Sequence, residues 1–142
     1  ASGLASVETL DAFIYETKKL GIYAVVDMMG VENPVAKLHS LKELPDVVLL
    51  HRGIDVEKKG GSARWEQIQA IKTAFKDKRL LVAVAGGITP ETARDAINAG
   101  ADIVVVGRYV TQSRDVKRAV REFLECTAEM REDVDLLREH VE

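Results

Sequence analysis

The stretch Leu80-Leu81-Val82-Ala83-Val84-Ala85-Gly86-Gly87-Ile88-Thr89-Pro90 sets the reading of the whole chain. It is apolar through Ala85, as expected of a strand buried on both faces. Two glycines follow, and then Thr-Pro, the cap-then-proline order that opens a helix. The unit is strand, glycine loop, helix. The pattern recurs on either side: Ile103-Val104-Val105-Val106 ends in Gly107-Arg108, Val47-Val48-Leu49-Leu50 in His51, and Ile22-Tyr23-Ala24-Val25-Val26 in Asp27. Helical spacing fills the intervals. Leu10, Phe13, Ile14 and Thr17 line one face behind an N-cap at Ser6. Trp65, Ile68, Ile71, Ala74 and Phe75 follow Ser62, and Ala93, Ala96 and Ile97 follow Thr89-Pro90. Val116, Ala119, Val120, Phe123 and Leu124 follow Ser113. Gly21 and Gly100 stand where a helix needs a left-handed residue to stop.

Strand starts at 22, 47, 80 and 103 give βα units of 23 to 33 residues, so the sheet is parallel and the class α/β. A closed (β/α)8 barrel needs roughly 250 residues, and this chain has 142. It is an open α/β sheet or a piece of a barrel. Residues Ala1 to Ser6 read as a strand-to-helix loop, which favours a piece that starts inside a larger domain. Residues 1–142 are then one partial barrel domain with no internal boundary.

Lys and Arg total 20 against 23 Asp and Glu, a formal charge of −3. No basic excess exists to follow a nucleic-acid backbone. The apolar runs fall far short of a membrane span, and no basic-then-apolar signal opens the chain. One cysteine, Cys126, cannot form an internal disulfide, and the expected setting is a reducing cytoplasm.

In either architecture chemistry belongs at the carboxyl ends of the strands. Gly86-Gly87 after one strand and Gly107-Arg108 after the next make a candidate phosphate cradle, with backbone N–H groups and a guanidinium. The alternative is that these glycines only turn the chain. Asp27 and His51 each end an apolar run at the top of the sheet, where an imidazole can exchange protons and a carboxylate can bind sugar hydroxyls. A helix-capping Asp and a structural His are the other readings. Arg52 is placed to hold an anion or to pair with Asp55. Residues 56–61 form either a mobile lid or a solvated loop. Cys126 has no cationic neighbour in sequence, His39 and His140 lack metal spacing, and Trp65 reads as core. A stripe at Met130, Val134, Leu137 and Val141 would pack on the body or on another subunit.

The phrases Val26-Asp27-Met28-Met29-Gly30, Leu50-His51-Arg52-Gly53-Ile54-Asp55, Val84-Ala85-Gly86-Gly87-Ile88 and Val105-Val106-Gly107-Arg108 resemble the orotidine 5′-monophosphate decarboxylase suprafamily. Within it the likeness is to 3-hexulose-6-phosphate synthases, including archaeal forms fused to a formaldehyde-activating domain. It runs over essentially the whole chain but only over the C-terminal half of that family's (β/α)8 TIM barrel, a ribulose-phosphate-binding type. Asp27, Ile54 and Ala85 match the synthase pattern, where the sister 3-keto-L-gulonate-6-phosphate decarboxylases have Glu, Arg and Thr. Arg108 matches the decarboxylase.

The resemblance implies an aldehyde-lyase that joins formaldehyde to D-ribulose 5-phosphate, reversibly, through a Mg²⁺-stabilised enediolate. His51 would serve the enediolate and Asp27 the substrate hydroxyls. Ala85, Gly86, Gly87, Gly107 and Arg108 would bind substrate and phosphate. A homodimer is implied. The family's Asp-x-Lys-x-x-Asp motif, which brings the catalytic Lys and metal ligands, occurs nowhere in these 142 residues. The expected metal ligands lie upstream, and the expected activity of these residues alone is negligible. The alternatives are another sugar-phosphate barrel enzyme (the sister decarboxylase, orotidine 5′-monophosphate decarboxylase, a ribulose-phosphate epimerase or a tryptophan-pathway isomerase) and a non-catalytic phosphate-binding half-barrel.

Overall fold

Residues 1–51 and 63–139 are described by a computed structural model. In chain order they form α1 (Val7–Lys19), β1 (Val25–Asp27), α2 (Pro34–His39), β2 (Val47–His51), α3 (Ala63–Ala74) and β3 (Leu81–Ala85). There follow α4 (Pro90–Asn98), β4 (Ile103–Val105), α5 (Arg108–Thr111) and α6 (Val116–Glu139). The strands lie side by side in the order β1-β2-β3-β4, and every neighbouring pair is parallel. Ser2 adds an isolated parallel bridge to Asp27 outside β1.

The register divides the sheet into two unlike faces. Val26, Val48, Leu50, Val82 and Val84 share one core with Leu10 of α1, Leu38 of α2, Ile68 and Ile71 of α3, Ala93 of α4 and Phe123 of α6. Burial of each Val, Leu, Ile or Phe side chain among them stabilises the fold by about 1.5–3 kcal/mol. The other face carries the rows Val25–Val47–Leu81, Asp27–Leu49–Ala83–Ile103 and His51–Ala85–Val105. Its centre is recessed at Ala83 and Ala85, while Val25, Leu81, Ile103 and Val105 remain 36–47% exposed. Burial on both faces therefore holds for the middle of β2 and β3 and fails at the outer strands. β1 and β4 each flank one strand of the sheet only, and no described helix contributes to a core on this face.

Local signals explain most boundaries. The Ser6 hydroxyl accepts from Thr9 N at 3.2 Å, and Thr89 and Thr92 form a reciprocal capping box at α4. The first strand is shorter than its apolar run. Gly21 has φ 67°, Gly21 N donates to the Lys18 carbonyl, and Ile22 N donates to that of Thr17. This Schellman closure assigns Ile22 to the end of α1, and Ile22 and Tyr23 are exposed. The Ser62 cap lies outside the described residues. Ala74 is exposed, because Ile68, Ile71 and Phe75 define the buried line of α3. Asp115, not Ser113, caps α6: its Oδ1 accepts from Arg118 N at 2.9 Å, while Ser113 Oγ accepts from Asp115 N at 3.2 Å. The buried line of α6 is Ala119, Phe123 and Cys126, and Val116, Val120 and Leu124 are exposed. The side chains of Met130, Val134, Leu137 and Val141 lie outside the described residues.

Two aspartates pin the sheet at the end opposite the carboxyl termini of the strands. Asp46, just before β2, accepts from Ala24 N, just before β1, at 2.7 Å. Asp102, just before β4, accepts from Val82 N of β3 at 2.7 Å and is paired with Lys72. Asp102→Ala strands that N–H and is expected to lower the unfolding free energy by about 1–3 kcal/mol in urea titrations. Lys72→Ala keeps the Val82 bond and should cost clearly less; equal losses would assign the stabilisation to the ion pair.

Candidate functional site

Asp27 ends β1 and His51 ends β2, on the open face of adjacent strands. Asp27 stands opposite Leu49, so His51 lies two residues further on the same side. Imidazole Nδ1 and Asp27 Oδ2 are 3.0 Å apart, with both side chains about one-third exposed (35% and 30%). The carboxylate's other oxygen accepts from Met29 N at 2.9 Å. The Asp27 backbone is clamped as well, its N–H donating to the Ala1 carbonyl at 2.8 Å and its carbonyl accepting from Gly3 N at 2.7 Å. An ionised carboxylate only accepts, so the contact places a proton on Nδ1. In the neutral ring Nε2 is then the proton acceptor. The two residues thus act as a pair.

Ala85 is the register partner of His51 and of Val105. Its methyl is buried, and it occupies little of the row beside the imidazole. Gly86 and Gly87 follow with φ 88° and 61°, consecutive left-handed residues that a side chain would strain. After β4, Gly107 caps α5 by accepting from Val110 N and Thr111 N. Among the described residues nothing lies within 4 Å of a Cβ added at Gly107. This short helix, Arg108–Thr111, precedes the one read from sequence at Ser113, which is α6. Arg108 is exposed and lines an open cleft of about 500 Å³ between α5 and the start of α6. His51 and Gly107 end strands two places apart, about 10 Å at the usual strand spacing.

Other sequence candidates fall elsewhere. Cys126 is buried, its thiol donating to the Pro90 carbonyl at 3.3 Å, and the His39 ring packs tilted against Phe75 with centroids 4.6 Å apart. Trp65 packs partly buried against the core. Arg52, Ile54, Asp55, the 56–61 segment and His140 lie outside the described residues. Among the described residues no group of three or more His, Cys, Asp or Glu side chains is placed to hold a metal ion. Nor is any described helix long and apolar enough to cross a membrane. Sequence reasoning took Asp27 and His51 singly and missed Met29 N–H; strand ends in adjacent units were the available signal for the pairing.

A family model described as orotidine 5′-phosphate decarboxylase / HUMPS family matches residues 1–123. The chain belongs to this family. A relative named bifunctional enzyme Fae/Hps from Methanoculleus marisnigri is 52% identical over 124 residues, covering 87% of this chain and 31% of the relative. A protein of the same name from Methanocella arvoryzae is 44% identical over 137 residues, covering 96% of this chain and 34% of the relative. This family chain thus spans about a third of the length of those relatives. The crystal structure of 3-hexulose-6-phosphate synthase from Salmonella typhimurium superposes with TM-score 0.73 at 29% identity, over 91% of this chain and 60% of that one. The parallel four-stranded sheet is accordingly part of a TIM barrel.

Asp27→Ala removes the acceptor at Nδ1. In ¹⁵N spectra His51 should change from the Nδ1–H tautomer to a mixture dominated by Nε2–H, as in free imidazole. An unchanged ring spectrum would show that the carboxylate does not set the tautomer.

Proposed function

We propose that the strand ends of residues 1–142 form the sugar-phosphate half of a 3-hexulose-6-phosphate synthase-type aldehyde-lyase site. The observation that carries this reading is the Asp27–His51 contact, 3.0 Å long, on the open face beside Ala85 and one strand from the Gly86-Gly87 loop. The substrate class is a phosphorylated ketopentose, with D-ribulose 5-phosphate and formaldehyde as the pair implied by family likeness. Gly86 and Gly87 offer backbone N–H groups to the phosphate, Gly107 leaves room, and Arg108 supplies the compensating charge. Phosphate held near Gly107 leaves about 10 Å to His51, a span for an extended five-carbon chain. The protein acts as a homodimer in a reducing cytoplasm, and residues 1–142 form one partial barrel domain.

In the synthetic direction a proton leaves C1 of the ketopentose, and the resulting enediolate attacks the formaldehyde carbon. A new C–C bond forms and the formaldehyde oxygen takes up a proton. His51, held through Nδ1, presents Nε2 to hold or move a proton at the enediolate oxygen. Asp27 fixes the ring and orients a substrate hydroxyl. Ala85, the small neighbour of His51, leaves space for the one-carbon partner. Mg²⁺ is implied by the family, but the described residues do not form its ligand set, so no step runs through it here. The base that takes the C1 proton is assigned to the Asp-x-Lys-x-x-Asp motif, which these residues do not contain.

Calorimetric titration should show D-ribulose 5-phosphate binding by the 142-residue chain, weakened about tenfold or more by Arg108→Ala. Turnover should be undetectable alone and appear when the segment preceding the matched region of the Methanoculleus relative is supplied. Turnover by the homogeneous chain by itself would overturn the division of labour. Absence of binding would overturn the assignment of the phosphate site.

A further inference from the structure

Helix α5 carries Arg108 yet has only four residues and no side-chain cap, too short to hold itself. Its neighbour Tyr109 reaches across to α6. The phenol donates to Glu122 Oε2 at 2.8 Å, and the ring meets Phe123 edge-on, with centroids 5.3 Å apart at 87°. Phe123 is buried in the core, so the ring rests on a fixed surface. Glu122 is itself oriented from the other side, its Oε1 accepting from Arg118 Nε at 3.1 Å. A phenol keeps its proton at neutral pH, and the hydrogen bond to Glu122 raises its pKa further.

We infer that Tyr109 is a positioning residue for Arg108, fastening α5 to α6 through Glu122 so that the guanidinium is presented to phosphate; this rests on the reading of Arg108 as a phosphate ligand. A flexible arginine on an unfastened turn occupies its binding geometry only part of the time. Apparent affinity falls in proportion to that fraction. Tyr109→Phe keeps the ring on Phe123 and removes only the donor. It should weaken binding about three- to tenfold, equivalent to a competent fraction of about a third to a tenth.

The test is calorimetric titration of D-ribulose 5-phosphate and, separately, inorganic phosphate into the 142-residue chain and its variants. Tyr109→Phe and Glu122→Ala should show the same loss, while Glu122→Gln, whose amide oxygen still accepts from the phenol, should retain most of the affinity. Combined with Arg108→Ala, Tyr109→Phe should have no further effect, because its influence passes through the missing guanidinium. Parental affinity in Tyr109→Phe, or an undiminished loss in the Arg108→Ala background, overturns the inference alone. If Arg108→Ala binds as the parent does, or the parent does not bind, the phosphate reading fails and the inference fails with it.

Discussion

A parallel sheet has no hairpin to set its register, and side chains alternate faces residue by residue. A one-residue slip of β2 against β1 would carry His51 to the helix-covered face, away from Asp27. Register is therefore the constraint on which the candidate site depends. The sequence meets it at the entry end of the strands, where Asp46 and Asp102 each accept a backbone N–H from the neighbouring strand segment. At the exit end, Asp27 is held by backbone bonds to Ala1 and Gly3. The Asp27–His51 distance is thus set by bonds formed at both ends of the sheet.

The two faces divide the labour. One is sealed by helices and supplies the burial energy. The other combines exposed Val25, Leu81, Ile103 and Val105 with a polar margin at its carboxyl end. In a complete barrel such a face points inward and the carboxyl end carries the chemistry. The Asp27–His51 pair is partly exposed and so open to solvent on this face. The proposed phosphate end is built differently, from glycine backbone and one arginine on a short helix.

Legibility in the sequence followed how local each signal was. Ser6 and Thr89-Pro90 announce their helices through contacts three residues long, and the glycine loops announce their positions by composition. Asn33-Pro34 carries the same cap-then-proline signal for α2, but no long apolar stripe follows it to mark a helix. Ile22 reads as strand in sequence but closes α1, because a helix-closing bond from its N–H is invisible in an apolar run. Ser113 and Asp115 compete for one cap within three residues, and only their hydrogen bonds separate them. The buried line of α6 runs through Ala119, Phe123 and Cys126, and Cys126 is tied to the start of α4 by its bond to the Pro90 carbonyl, a contact 36 residues away in sequence. The pairing of Asp27 with His51 spans 24 residues, so it becomes readable only once the strand order is known.

The most direct test of a sugar-phosphate site at the strand ends is a map of backbone amide shifts during titration with D-ribulose 5-phosphate. Shifts concentrated at Asp27, His51, Ala85 to Gly87 and Gly107 to Tyr109 are expected. Shifts centred on the entry end near Asp46 and Asp102, or no saturable shifts at all, would contradict the site.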